Sequence, residues 1–144
     1  MLVVKRVLIS SDHAGVELRL ALSAYLESIG CAVTDYGCDP SCSAVDYPDY
    51  VHDVVQNVSP TSFGVLVCGT GIGMSIAANR NRNIRAALCF SPLFARLARE
   101  HNDANVLCFG SRYIELDTAK EVLHTFVSTK FLEGRHMARV MKLM

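Results

Sequence analysis

Phe63-Gly64-Val65-Leu66-Val67-Cys68-Gly69-Thr70-Gly71-Ile72-Gly73-Met74-Ser75 runs an apolar stretch straight into three alternate glycines. Phe63 to Cys68 is almost continuously apolar, which marks a strand buried on both faces. Ile72 to Asn79 then reads as a helix, so the glycines form a tight strand-to-helix turn. A strand covered on both faces belongs to a parallel sheet with helices on either side.

The rest of the chain repeats this unit. Upstream lie a strand at Arg6–Ser10, a helix from Val16 to Ile29 stopped by Gly30, and a strand at Ala32–Tyr36. A polar loop at Gly37–Tyr47 and a helix at Tyr50–Asn57 follow. Downstream come a strand at Arg85–Phe90 and a helix at Pro92–His101 with proline in its first turn. A strand at Val106–Phe109, a helix at Leu116–Thr129 and a helical tail within Glu133–Met144 complete the series. Five β-α repeats predict a three-layer, Rossmann-like α/β sandwich with a five-stranded parallel sheet and a C-terminal helical tail. Ligands of such sheets bind beyond the carboxyl ends of the strands. That rule points to Ser10–Gly15, Gly37–Pro48, Cys68–Gly73, Phe90–Pro92 and Gly110–Tyr113.

The 144 residues fit one domain, residues 1–144, with no internal repeat or linker. Half of them are hydrophobic (51%), which argues against disorder. The formal net charge is zero, from 14 basic and 14 acidic residues, which weighs against nucleic-acid or acidic-membrane partners. A small anion needs only a few local cations, so that partner stays open. No apolar stretch approaches the length of a membrane span, and Met1–Ser10 lacks a signal peptide's cleavage site. The six cysteines (Cys31, Cys38, Cys42, Cys68, Cys89, Cys108) contain no C-x-x-C pair. Free thiols in a reducing cytoplasm are expected, rather than a disulfide framework. Cys38 and Cys42 lack a second ligand pair, so no metal site is expected.

The glycine turn is the strongest chemical signal. Its backbone N–H groups can converge on an anion, and the following helix adds partial positive charge. Three better-known loops fail on particular residues. The dinucleotide pattern needs a glycine in a slot that Gly69, Gly71 and Gly73 leave empty. A Walker loop needs a lysine, and none is present; a cysteine-phosphatase loop needs arginine where Met74 stands. Cys68 ends the strand just before these amides, where a thiolate is stabilised and can act as base or nucleophile, although packing is the default role for a lone cysteine. Asp12 and His13 follow the first strand and reach the same sheet edge. Asp12 also suits a simple helix cap. His101 and Asn102 end a helix, where a histidine is as often structural as catalytic. Arg112 follows the last strand, and Arg135 and Arg139 are four apart, as a phosphate clamp on one helical face would require. Charged tails are more often simply solvated. His52, His124 and His136 have no comparable support.

Six motifs, in order, resemble one family along essentially the whole chain: Ser11-Asp12-His13-Ala14-Gly15, Asp46-Tyr47-Pro48, Cys68 to Gly73 with Ser75 to Asn79, Arg99 to Asn105, Phe109-Gly110-Ser111-Arg112, and Gly134-Arg135-His136 with Arg139. The chain is similar to the type B ribose-5-phosphate isomerases, relatives of the galactose-6-phosphate isomerase subunits. The resemblance implies interconversion of D-ribose 5-phosphate and D-ribulose 5-phosphate through an enediolate, with no cofactor and no metal. It also implies a homodimer or dimer of dimers with active sites between subunits. Carried over, Cys68 is the base, and Gly69, Thr70, Gly71, Ile72 and Gly73 hold the enediolate. Asp12, Thr70, His101 and Asn102 assist ring opening and hold sugar oxygens, and Tyr47 lines the sugar pocket. His13, Arg112, Arg135 and Arg139 bind phosphate, some of them from the neighbouring subunit. A second subclass has serine at the position of Cys68 and a glutamate base at that of Ile72; this chain has the cysteine and lacks the glutamate. Other expectations remain open here: allose or galactose 6-phosphate as substrate, or a non-catalytic phosphate- or nucleotide-binding module.

Overall fold

Alternation along three neighbouring strands sorts the core into two layers. The computed structural model describes all 144 residues. Its strands are β1 (Arg6–Ser11), β2 (Ala32–Asp35), β3 (Ser62–Cys68), β4 (Ala86–Leu88) and β5 (Val106–Gly110). They are separated by helices α1 (Val16–Ser28), α2 (His52–Asn57), α3 (Ile72–Asn79) and α4 (Pro92–Asn102), and followed by α5 (Leu116–Ser128) and α6 (Met137–Met141). All strand pairs are parallel, in the order β2-β1-β3-β5-β4.

Val7 and Ile9, Phe63, Val65 and Val67, and Leu107 and Phe109 face one side, where they pack on α1, α4 and α5. Leu8, Leu66 and Cys68, and Val106 and Cys108 face the other side, against α2 and α3. A side-chain period of two sends neighbouring residues to opposite layers. Cys68 therefore points into the α2/α3 layer.

The strand order also fixes where the site lies. From β1 the chain winds outward to β2, then returns to place β3 on the other side of β1. Helices α1 and α3 cover opposite faces, so a crevice opens beyond the carboxyl ends of β1 and β3. Ser11 pairs with Val67, which brings Asp12 and Cys68 to that crevice.

Several expected boundaries shift for local reasons. Tyr47–Tyr50 is a 3-10 turn, and α2 begins only at His52. The strand expected at Arg85–Phe90 shortens to Ala86–Leu88 at the sheet edge. Ala86 there exchanges both backbone hydrogen bonds with the Asn79 side-chain amide instead of a further strand. In the tail, Gly134–His136 is a 3-10 turn and α6 starts at Met137, so Arg135 and Arg139 do not share one helix. Leu66 is fully buried between the sheet and α2/α3. Leu66→Ala is expected to lower unfolding free energy by about 2–5 kcal/mol, read from the denaturant midpoint.

Candidate active site

Three glycines of the turn each have a different neighbour in the space a Cβ would fill. A Cβ on Gly69 would lie 2.6 Å from Nη1 of Arg112, so that guanidinium rests on the loop. Gly71 has φ +75°, and a Cβ there would meet Leu88 Cδ1 at 2.4 Å and the Phe109 backbone at 2.8 Å. A Cβ on Gly73 would meet the Tyr47 ring at 2.5 Å. Gly71 thus makes the turn possible, while Gly69 and Gly73 let Arg112 and Tyr47 approach the backbone.

The turn brings an amide onto the sulfur of Cys68. The Gly71 N–H donates to Cys68 Sγ at 3.1 Å. The Ile72 N–H donates to Thr70 Oγ1 at 3.2 Å. The amides of Gly69, Thr70 and Gly73 make no hydrogen bond within the chain. Unused donors at a helix N-terminus, beside a thiol held by another donor, form a place for developing negative charge. Burial pushes the Cys89 thiol up to about 11 and raises that of Cys108 as well. Burial, and then contact with Cys42, raise Cys38 to about 11. All six cysteines are free.

Asp12 is buried at the end of β1, and its Oδ1 accepts from the amides of Ala14 (3.0 Å) and Gly15 (3.2 Å). The capping role weighed from sequence is therefore real. It also fixes the carboxylate beside the crevice, because the Asp12 N–H donates to the Val67 carbonyl at 3.3 Å. His13 Nδ1 accepts from the Val45 N–H at 3.1 Å. When the ring is neutral, that bond leaves Nε2 as its proton donor. The Arg112 N–H donates to the Gly69 carbonyl at 3.1 Å, closing the site on the β5 side. Asp12, His13, Tyr47, Cys68 to Gly73 and Arg112 thus come together.

The remaining candidates do not join them within one chain. Helix α4 starts at the carboxyl edge of the sheet and must run back to reach the start of β5. At about 1.5 Å per residue, His101 lies about 14 Å along the helix axis from Pro92, at the opposite edge. There His101, Asn102, His136 and Arg139 line one cavity with Val140 and Leu143, and Arg135 stands in the preceding turn. His101, Asn102, Arg135 and Arg139 therefore lie away from the carboxyl-edge loops to which the strand-end rule points.

His136 was not among the candidate site residues. Its ring stacks on that of His101, with centroids 4.3 Å apart and planes 13° apart. Desolvation holds the His136 imidazole below its usual pKa, with smaller contributions from His101, Arg135 and Arg139. Its place in the G-R-H tripeptide beside two arginines was the available signal.

The geometry defines an α/β protein with a glycine turn of unbonded amides at its switch point and a second cluster, of histidines and arginines, at the opposite edge. Residues 7–143 match the family model for Ribose/Galactose Isomerase, and the chain belongs to that family. It is 41% identical over 138 residues to ribose-5-phosphate isomerase B of Escherichia coli, covering 94% of this chain and 92% of that one. Its fold matches ribose 5-phosphate isomerase B from Anaplasma phagocytophilum with TM-score 0.99 and 72% identity, over 100% of this chain and 99% of that one. It also matches the Mycoplasma genitalium ribose-5-phosphate isomerase B structure with bound ribulose-5-phosphate, at TM-score 0.92 and 36% identity, over 96% and 93% of the two chains.

Two outcomes test this geometry. Gly71→Ala is expected to leave a folded protein whose glycine turn is displaced, read as lost turnover of ribose 5-phosphate at a retained circular-dichroism spectrum. In His101→Asn, the His136 ring proton signals are expected to titrate closer to 6.5 than in wild type, because one of the groups lowering that pKa is gone.

Proposed function

We propose that the chain interconverts D-ribose 5-phosphate and D-ribulose 5-phosphate, with Cys68 as the proton-transferring base. The observation that carries this reading is the Gly71 N–H on Cys68 Sγ, beside the unused amides of Gly69, Thr70 and Gly73. Relatives named for ribose 5-phosphate, one with ribulose-5-phosphate bound, support a pentose substrate.

The chemistry follows from the donors and acceptors present. The Cys68 thiolate removes the C2 proton of the open-chain aldose, and the electron pair moves onto the carbonyl oxygen. The amides from Gly69 to Gly73 offset that negative charge without having to reorganise. Returning the proton to C1, with transfer of the O2 proton to O1, gives the ketose. The interconversion is redox-neutral overall, so no external oxidant or reductant is consumed. His101, with Asp12 and Thr70, serves ring opening, and Asn102 and Tyr47 hold sugar oxygens. His13 and Arg112 meet the phosphate from one chain.

His101, Asn102, Arg135 and Arg139 can reach the same substrate only from a second copy. Exposed apolar residues support that pairing: Ile72 and Ile76 share one outward face of α3, and Leu93 and Phe94 stand out from the first turn of α4. Six free thiols and a small phosphorylated metabolite suit a reducing cytoplasm.

Purified protein in metal chelator is expected to form ribulose 5-phosphate from ribose 5-phosphate. Cys68→Ala is expected to cut kcat at least about a hundredfold while phosphate affinity stays near wild type. Turnover in that variant at the wild-type rate contradicts the base assignment. Subunit sharing has its own signature. Cys68→Ala and His101→Ala, each inactive alone, are expected to regain about a quarter of wild-type activity after mixed refolding, because half the dimers are mixed and one of their two sites is intact. No recovery among verified mixed dimers contradicts a shared site.

A further inference from the structure

Arg19 has no part in the steps above, yet it is among the most buried charges in the molecule, with 3% of its side chain exposed. Its Nη1 donates to Ser11 Oγ at 2.6 Å, its Nη2 to the Cys38 carbonyl at 2.7 Å, and its Nε to Asp35 Oδ2 at 3.1 Å. Gly37 lies directly under the guanidinium, so close that a Cβ there would overlap Nη1 at 2.0 Å. The three acceptors stand at the carboxyl edge: Ser11 at the end of β1, Asp35 at the end of β2 and Cys38 in the loop that follows it.

The end of β1 and that loop both lead into the site. Ser11 immediately precedes Asp12 and His13. Cys38 opens the loop that carries Val45, whose N–H holds His13 Nδ1. The same loop delivers Tyr47, whose ring covers Gly73. Stability alone is a poor reason for such a group, because a buried ion pair is often no better than well-packed apolar residues. A fork with three fixed directions suits holding these three positions in one register. We propose that Arg19 is a positioning residue: it clamps the 36–47 loop to the end of β1, and so sets where His13 and Tyr47 stand relative to Cys68. Its kinetic consequence rests on the isomerase reading; its structural consequence does not.

Arg19→Met keeps the length of the side chain and removes every donor, and Arg19→Lys keeps the charge but not the fork. Both are compared with wild type for melting temperature, for kcat and KM on ribose 5-phosphate, and for amide hydrogen exchange across residues 36–47. For Arg19→Met, kcat/KM is expected to fall about a hundredfold, as for a misplaced binding group, with most of the loss in KM. Arg19→Lys is expected to fall in between. In both, the 36–47 amides exchange faster while those of β3 and β5 keep wild-type protection. A folded variant with wild-type KM and unchanged loop exchange overturns the proposal. So does a kcat loss that only tracks the folded fraction at constant KM. If Arg19→Met does not fold, Arg19→Lys decides by the same criteria. A wild type that does not isomerise ribose 5-phosphate counts against the isomerase reading, and the exchange measurement still decides the role of Arg19.

Discussion

The central strand β3 is the constraint on which the rest depends. All seven of its residues, Ser62 to Cys68, are buried, and it pairs with β1 on one side and β5 on the other. Its alternation assigns Phe63, Val65 and Val67 to one layer and Leu66 and Cys68 to the other. Because both layers are filled, a slip of one residue would bury every side chain on the wrong face. The position of the Cys68 sulfur is therefore fixed by the packing of the whole sheet. The turn after it inherits that precision, since Gly71 fits only against Leu88 and the Phe109 backbone.

From that strand the chemistry divides between two edges. The carboxyl edge holds the thiol, the unused amides, Asp12, His13, Tyr47 and Arg112. The amino edge holds the His101–His136 stack with Arg139. The two groups are separated by the length of helix α4. In the function proposed above, a second copy of the chain joins them.

Much of this was legible in the sequence, for physical reasons. Buried parallel strands leave continuous apolar runs, so every strand was found, and the glycines after Cys68 announced the turn. The sheet edge was harder. At the outer edge of β4, Asn79 takes up the Ala86 backbone groups, a tertiary contact that leaves no local pattern. The split of the site was readable in principle, because a helix that leaves the carboxyl edge must end at the other one. The family resemblance implied the same division, with some of these residues supplied by a neighbouring subunit. Arg19 left only a faint signal, one cation beside the Leu18, Leu22 and Leu26 stripe of α1. Its partners lie 8, 16 and 19 positions away in the chain, beyond the reach of periodicity.

Proton transfer by Cys68 through an enediolate held by backbone amides is the central step of the proposed reaction. Isomerisation run in deuterium oxide, followed by NMR of the sugar phosphate over many turnovers, tests that step most directly. Deuterium is expected to accumulate at C2 of ribose 5-phosphate and at C1 of ribulose 5-phosphate, because a thiol proton exchanges with solvent. Full conversion with no deuterium at either carbon would show that hydrogen moves directly between the carbons, and would contradict the account.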